Sequence, residues 1–193
     1  MFPNPKLLTH PQIPKPLHGT NPRSLLGKQW WDIQRAKAYI KHKDHCWACG
    51  VPKIEAPYHK WLEGHESYDI NYKTGKVKLN EIVALCHSCH NFIHSGRLSI
   101  LENQGKVSKD KLIQVLLHGW KLLEAANLKP FWATANVYND RVNTLGKRYL
   151  KKLQVEQNPG EVQQNWSKWH IEIKGKNYYG LFKCYEDWEN YYP

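Results

Sequence analysis

Four of the five cysteines fall into two C-x-x-C pairs, Cys46/Cys49 in "HCWACG" and Cys86/Cys89 in "LCHSCH". A tight turn of this kind presents two sulfurs to one side, and two such turns can meet around a single ion to complete a tetrahedral zinc shell. The second pair opens the stretch "CHSCHNFIH", residues 86–94, which supports two further chemistries. Cys86-His87-Ser88-Cys89-His90 is a literal C-x-x-C-H, the pattern of covalent haem attachment. His90 and His94, spaced i, i+4, would project from one side of a helix and could ligate a second metal. The fifth cysteine, Cys184, stands alone and is expected to be a small core residue.

The bulk properties narrow these choices. Lys and Arg number 28 against 17 Asp and Glu, a formal net charge of +11, and the chain carries 9 Trp, 11 Tyr and 11 His. Such a basic balance points to a polyanionic partner, because neutralising phosphates releases counterions and drives binding. The proline-broken N-terminus "MFPNPKLLTHPQIPKPLHG" lacks the apolar core of a signal peptide, and no run approaches the ~18 apolar residues of a membrane span. A cytoplasmic location is therefore expected, with no membrane association and no small organic cofactor. In that compartment paired cysteines hold metal more often than disulfides. Attachment of c-type haem takes place outside the cytoplasm, so the four cysteines are read as one structural Zn²⁺ site.

These residues need elements to hold them. Residues 1–22 are proline-rich and read as an arm. "SLLGKQWWDIQRAKAYIKHK", from Ser24 to about His42, has helical spacing with Ser24 as its cap. Short alternating segments flank Lys73-Thr74-Gly75, a hairpin signal, and the second strand, roughly Val77 to Leu85, runs directly into the second cysteine pair. A short helix is expected from about Cys89 to near Gly96. The segment 108–128 carries an apolar stripe of Leu112, Val115, Leu116, Trp120 and Leu123 behind Ser108 as cap. Another helix is expected from about Asn136 to Gln157, and a strand at 169–174.

Taken together, "CWACG", "LEGHES", "LNEIVALC" and "CHSCHNFIH" resemble the HNH endonucleases, and among them the variants whose first motif reads His-Glu. The resemblance covers roughly Asp44 to Leu98. It implies an α+β chain with a ββα-metal, treble-clef-like core, and a metal-dependent endonuclease that hydrolyses DNA phosphodiesters. Such hydrolysis needs a base to activate water and a cation to stabilise charge on the phosphate and the leaving 3′ oxygen. The resemblance assigns the base to His65. It places Glu66, Asn80 and His90 in the catalytic set with it, and His90 and His94 around a catalytic Mg²⁺ or Mn²⁺, with Glu66 as a third ligand or an orienting group. Two positions depart from the family pattern: Glu81 stands where the central Asn usually lies, with Asn80 one residue earlier, and Gly64 precedes His65 where many relatives supply a ligand.

The expected organisation is an N-terminal arm and helix (1–43), the zinc-containing nuclease core (44–100) and a helical C-terminal region with an aromatic-rich tail (101–193). Arg23, Lys28, Arg35 and Lys37 on the first helix, with Arg141, Arg148, Lys151 and Lys152 on a later one, are expected to face DNA phosphates. Trp30, Trp31 and Tyr39 are read as core, and His59 in "PYHKW" as loop filling. Two rival functions fit the same residues: a non-catalytic zinc module that binds nucleic acid, and a nuclease directed at RNA.

Overall fold

The structure, a computed structural model, describes residues 2–9, 13–128 and 162–192. The helix expected at Asn136 to Gln157, with Arg141, Arg148, Lys151 and Lys152, lies outside the described residues. The chain is mixed α+β, with five helices and one four-stranded sheet among those residues. They are α1 (Pro22–Lys41), β1 (Glu63–Asn71), β2 (Lys76–Leu85), α2 (His87–Ile93), α3 (Ser95–Asn103), α4 (Lys109–Ala125), β3 (His170–Ile173), β4 (Lys176–Tyr179) and α5 (Tyr185–Tyr191). No helix among the described residues is long and apolar enough to cross a membrane.

The chain divides into two compact units that interleave along the sequence. The first comprises residues 1–12, 39–65 and 84–157; the second comprises 13–38, 66–83 and 158–193.

In the second unit the turn between β1 and β2 is built by local chemistry. The Asn71 side-chain oxygen accepts from the Thr74 amide at 3.0 Å. The Gly75 amide returns to the Asn71 carbonyl at 2.9 Å. Gly75 has φ +76°, which glycine adopts without penalty. The sheet order is β1-β2-β3-β4. β3 pairs parallel to β2, from Lys76 opposite His170 to Lys78 opposite Glu172, and β4 returns antiparallel to β3. The tail therefore supplies two strands of this sheet where one strand was expected. Leu17, Tyr68, Val77, Trp169, Ile171 and Ile173 form its buried cluster.

The first helix starts earlier than expected, at Pro22. Its first turn is capped by Asn21, whose side-chain oxygen accepts from the Ser24 amide at 3.0 Å, so Ser24 is not the cap. Gly27 sits at φ 84°, ψ 164° and kinks the helix. Trp31 is buried as expected of a core ring, whereas Trp30 and Tyr39 are only half-buried.

In the first unit, α2 and α4 pack closely. Gly119 on α4 lies under the Phe92 ring, so that a β-carbon there would fall 2.1 Å from it. Ser108 caps α4 as expected, accepting from the Lys111 amide at 3.2 Å, and Val115, Gly119, Trp120 and Leu123 are buried. The short helix after the second cysteine pair is present and ends at Ile93, slightly before the expected Gly96. It breaks at His94 (φ −92°, ψ 32°), and α3 carries Gly96 in its first turn, ending only where Gly105 takes φ +69°. Cys184 is another correction: it is half-exposed at the N-cap of α5, where an extended backbone turns into the helix, and does not join a core.

Candidate metal centre

All the ligating clusters found among the described residues lie in the first unit. The first cysteine pair sits on a knuckle in which the Gly50 amide donates to the Cys46 carbonyl at 2.8 Å and the Cys46 amide donates to the Val51 carbonyl at 2.9 Å. Gly50 adopts φ +78°, which lets the turn close without a β-carbon clash. The Trp47 amide donates to the Ala84 carbonyl at 2.8 Å, tying this knuckle to the end of β2 immediately before the second pair. α2 then begins at His87, with the His90 amide on the Cys86 carbonyl at 3.0 Å.

These contacts bring the sulfurs of Cys46, Cys49, Cys86 and Cys89 within 4.8 Å of one another, three of the residues fully buried. The Cys49 and Cys86 sulfurs are 3.8 Å apart. Zinc–sulfur bonds of about 2.3 Å in a tetrahedron give sulfur–sulfur edges of about 3.8 Å, so the cluster fits the ion. The sulfurs also perturb one another. Hydrogen bonding from Cys49, then from Cys86 and Cys89, pulls the Cys46 thiol down, and the same contacts with Cys46 and Cys49 push Cys86 and Cys89 up. Four thiols this close ionise together only around a cation. An outer contact that spacing alone does not reveal comes from α4: His118 Nε2 lies 3.3 Å from the Cys89 sulfur, where an N–H can steady a thiolate.

A second cluster joins the hairpin to α2. His65, His90 and His94 each offer a ring nitrogen within 4.8 Å of the others. Their ring centroids lie 4.7 Å (His90–His94), 5.0 Å (His65–His94) and 5.4 Å (His65–His90) apart. His65 is 4 % exposed. Strand alternation puts Glu63, two residues before His65, on the same face, and its Oε2 lies 2.7 Å from His90 Nδ1. That contact places the proton of His90 on Nδ1 and leaves Nε2 as the ligating atom.

Glu63 is absent from the residues the sequence singles out, as is the third cluster it belongs to. Its other oxygen, Oε1, lies 2.8 Å from His87 Nδ1 and 3.1 Å from His59 Nε2. Burial raises the Glu63 pKa, but the hydrogen bonds and charges of His87 and His90 outweigh it and hold the carboxyl well below the ordinary range. His59 does more than fill a loop, since its ring nitrogen enters this cluster. Compared with protein-family models, with curated proteins and with solved structures, the chain matches none.

Of the other expected site residues, those among the described residues lie in the second unit. Glu66 is half-buried on β1, and Asn80 is exposed on β2. Arg23, Lys28, Arg35 and Lys37 are all exposed on α1. Asp32 pairs with two of them: Lys28, and Arg35 through Nε at 3.1 Å. Two cations of this face thus share one internal carboxylate, which reduces what they offer an external phosphate.

Proposed function

We propose that the protein is a metal-dependent endonuclease of the HNH type, with a ββα-metal core, that hydrolyses DNA phosphodiesters and uses a four-cysteine zinc site as scaffold. One observation carries the reading: His65 from the hairpin, His90 from the following helix and His94 at the end of that helix converge in a cluster separate from the four cysteines. A four-thiolate shell is closed and leaves no position for water or substrate, whereas three imidazoles leave one side open. A binding module has need of the cysteine cluster only.

His65, His90 and His94 would hold the catalytic cation. Of the two ions expected, an all-nitrogen donor set suits Mn²⁺ better than Mg²⁺, which prefers oxygen ligands and keeps its waters. A cation bound there supplies charge stabilisation for the phosphate and the leaving 3′ oxygen. Glu63 orients His90 by accepting its Nδ1 proton. The burial of His65 between two imidazoles favours a ligand role over the base role that the resemblance assigns to it. A base must reach water on the open side of the metal, and a side chain 4 % exposed is poorly placed for that.

The +11 charge supports a nucleic-acid substrate. The test is plasmid cleavage by the zinc-loaded protein with Mn²⁺ or Mg²⁺, alongside digestion of single-stranded DNA and RNA. EDTA-sensitive cutting of duplex DNA, stronger with Mn²⁺, is the expected outcome. Binding without cutting under every metal would leave only the scaffold role.

A further inference from the structure

We propose that His59, Glu63 and His87 form an additional cation site, separate from the four cysteines and from the His65–His90–His94 cluster, for a divalent first-row transition ion such as Zn²⁺ or Mn²⁺. It goes beyond the nuclease reading and stands whether or not the chain cuts DNA.

The geometry is a triangle of three donor atoms. His87 Nδ1 to Glu63 Oε1 is 2.8 Å, His59 Nε2 to His87 Nδ1 is 3.0 Å, and His59 Nε2 to Glu63 Oε1 is 3.1 Å. Metal–ligand bonds of about 2.1 Å at right angles place neighbouring ligands about 3.0 Å apart, so the triangle matches one face of an octahedron. Two imidazoles and a carboxylate on one face, with the opposite positions open, form a recognised donor set for such ions.

Hydrogen bonding alone does not explain the triangle. His59 Nδ1 lies 3.2 Å from the Trp61 carbonyl, which can only accept, so Nδ1 carries the proton and Nε2 of the neutral ring is a bare lone pair. The ring is held by stacking on Trp61, with centroids 3.6 Å apart and planes 2° from parallel. Nε2 thus faces a carboxylate oxygen that has no proton to give. Protonating both His59 Nε2 and His87 Nδ1 satisfies Glu63 but sets two donors against each other at 3.0 Å. Protonating one leaves an acceptor facing an acceptor along another edge. At most two of the three edges are satisfied by protons, and a cation between the atoms satisfies all three.

The surroundings are those of ligands held in place. Glu63 contributes Oε1 to the triangle while Oε2 is fixed by His90 Nδ1 at 2.7 Å, the outer hydrogen bond typical of a ligating carboxylate. Asn91 Nδ2 donates to the His87 carbonyl at 2.9 Å from the next turn of the helix; it also lies 3.2 Å from His87 Nδ1, a contact that a cation bound at Nδ1 would replace. The side chains of His59, Glu63 and His87 are 12 %, 24 % and 18 % exposed, sheltered yet reachable by an ion from solvent. Because Glu63 touches both clusters, filling this site would bias the orientation of His90.

The test uses the full chain with its cysteine zinc in place. Zn²⁺ is titrated into histidine-labelled protein while the imidazole nitrogens are followed by NMR, which requires no substitution. The expected result is a shift of His59 Nε2 and His87 Nδ1 on ligation, with His59 Nδ1 still protonated. Calorimetry then counts added Zn²⁺: the double variant His59→Ala/His87→Ala loses one equivalent and retains its cysteine zinc, while His94→Ala keeps that equivalent. Unmoved His59 and His87 resonances at saturating Zn²⁺, or a double variant that binds as many ions as the parent, overturn the proposal. Loss of nuclease activity is not read in either arm, so failure here and failure of the nuclease reading are separate results.

Discussion

The two compact units put sheltered histidine to different uses. In the first, His59, His65, His87, His90 and His94 crowd into clusters where several nitrogen lone pairs share one space. In the second, half-buried His18 has both ring nitrogens separately engaged, Nε2 on the Ile13 carbonyl at 3.0 Å and Nδ1 accepting from Trp188 Nε1 at 2.9 Å. The same side chain is thus either a ligand in waiting or a pair of satisfied hydrogen bonds. What separates the cases is the number of protons available per contact. His18 has one proton and needs one; the triangle at Glu63 has three edges and protons for two.

The strongest way to break this comparison is to remove the scaffold of the first unit. Cys46→Ser or Cys86→Ser opens a shell in which every ligand comes from one of two knuckles. Zinc binding is worth roughly 10–16 kcal/mol in small structural sites, comparable to a whole domain's stability. The expected outcome is loss of bound zinc with loss of the first unit's folded signals, read by metal analysis together with circular dichroism. A fully reduced, folded protein that contains no zinc would defeat the assignment.

Next in size are the imidazoles. His90→Ala and His65→Ala should each lower duplex cleavage by roughly 10²–10⁴-fold while the cysteine zinc stays bound. If both residues are ligands, excess Mn²⁺ partly restores both variants, because the defect is metal affinity. If His65 is instead the base, its variant stays inactive at any Mn²⁺ concentration. Cleavage at the parental rate in His65→Ala would remove it from the mechanism.

What can be read from the chain alone follows physical range. The cysteine pairs, the hairpin at Lys73-Thr74-Gly75 and the helix behind Ser108 are legible, because each depends on a spacing of a few residues or on one cap. The convergence of His90 and His94 is legible from helical spacing for the same reason. Glu63 carries a usable signal: in a strand, positions 63 and 65 share a face, and His87 and His90 are neighbours on the next helix. His59 and His118 carry none, since they reach their partners from a loop and from α4 through packing that no local pattern encodes. The pairing of residues 170–172 in β3 with residues 76–78 in β2 is hidden in the same way. Gly27 is legible as a flaw in the first helix but not as a kink, since only the tertiary context decides whether glycine continues the helix or breaks it.

A packing contrast gives a smaller effect. Gly119 is helical, so alanine there would ordinarily stabilise by up to about 1 kcal/mol. Here the added carbon meets three Phe92 ring atoms at 2.1 to 2.4 Å. The overpacking cost of about 1–3 kcal/mol should win, lowering the thermal midpoint of Gly119→Ala, whereas the pair Gly119→Ala/Phe92→Leu should recover part of the loss. A single variant more stable than the parent would show that α2 and α4 are held less tightly than the close approach indicates.

The mildest effect concerns His18 and tests the other half of the comparison. Burial, and to a lesser degree the charge of Lys15, lower its pKa from the usual 6.5, while the bond to the Ile13 carbonyl works the other way. The folded chain therefore holds a proton on His18 less tightly than the unfolded chain does. Stability from this group is fully present above about pH 6.5 and is lost as pH falls from there toward the lower folded value, because only the unfolded state gains the proton in that window. The structural consequence is specific, since a proton on Nδ1 turns the acceptor of Trp188 Nε1–H into a donor facing a donor. That indole also lies under the Lys15 ammonium, 4.2 Å from its ring centroid, so a second charge beside it finds no compensating carboxylate among the contacts His18 makes. The Trp188 indole proton, followed by NMR, should lose its protection from exchange only as pH falls below the usual imidazole value of 6.5, with the Trp169 indole, bonded to the Gln163 carbonyl at 2.9 Å, as an internal reference that does not respond. An indole of Trp188 that stays protected after the His18 imidazole has taken up its second proton would show that its shelter does not depend on the bare Nδ1, and the contrast between the two units would then rest on the metal clusters alone.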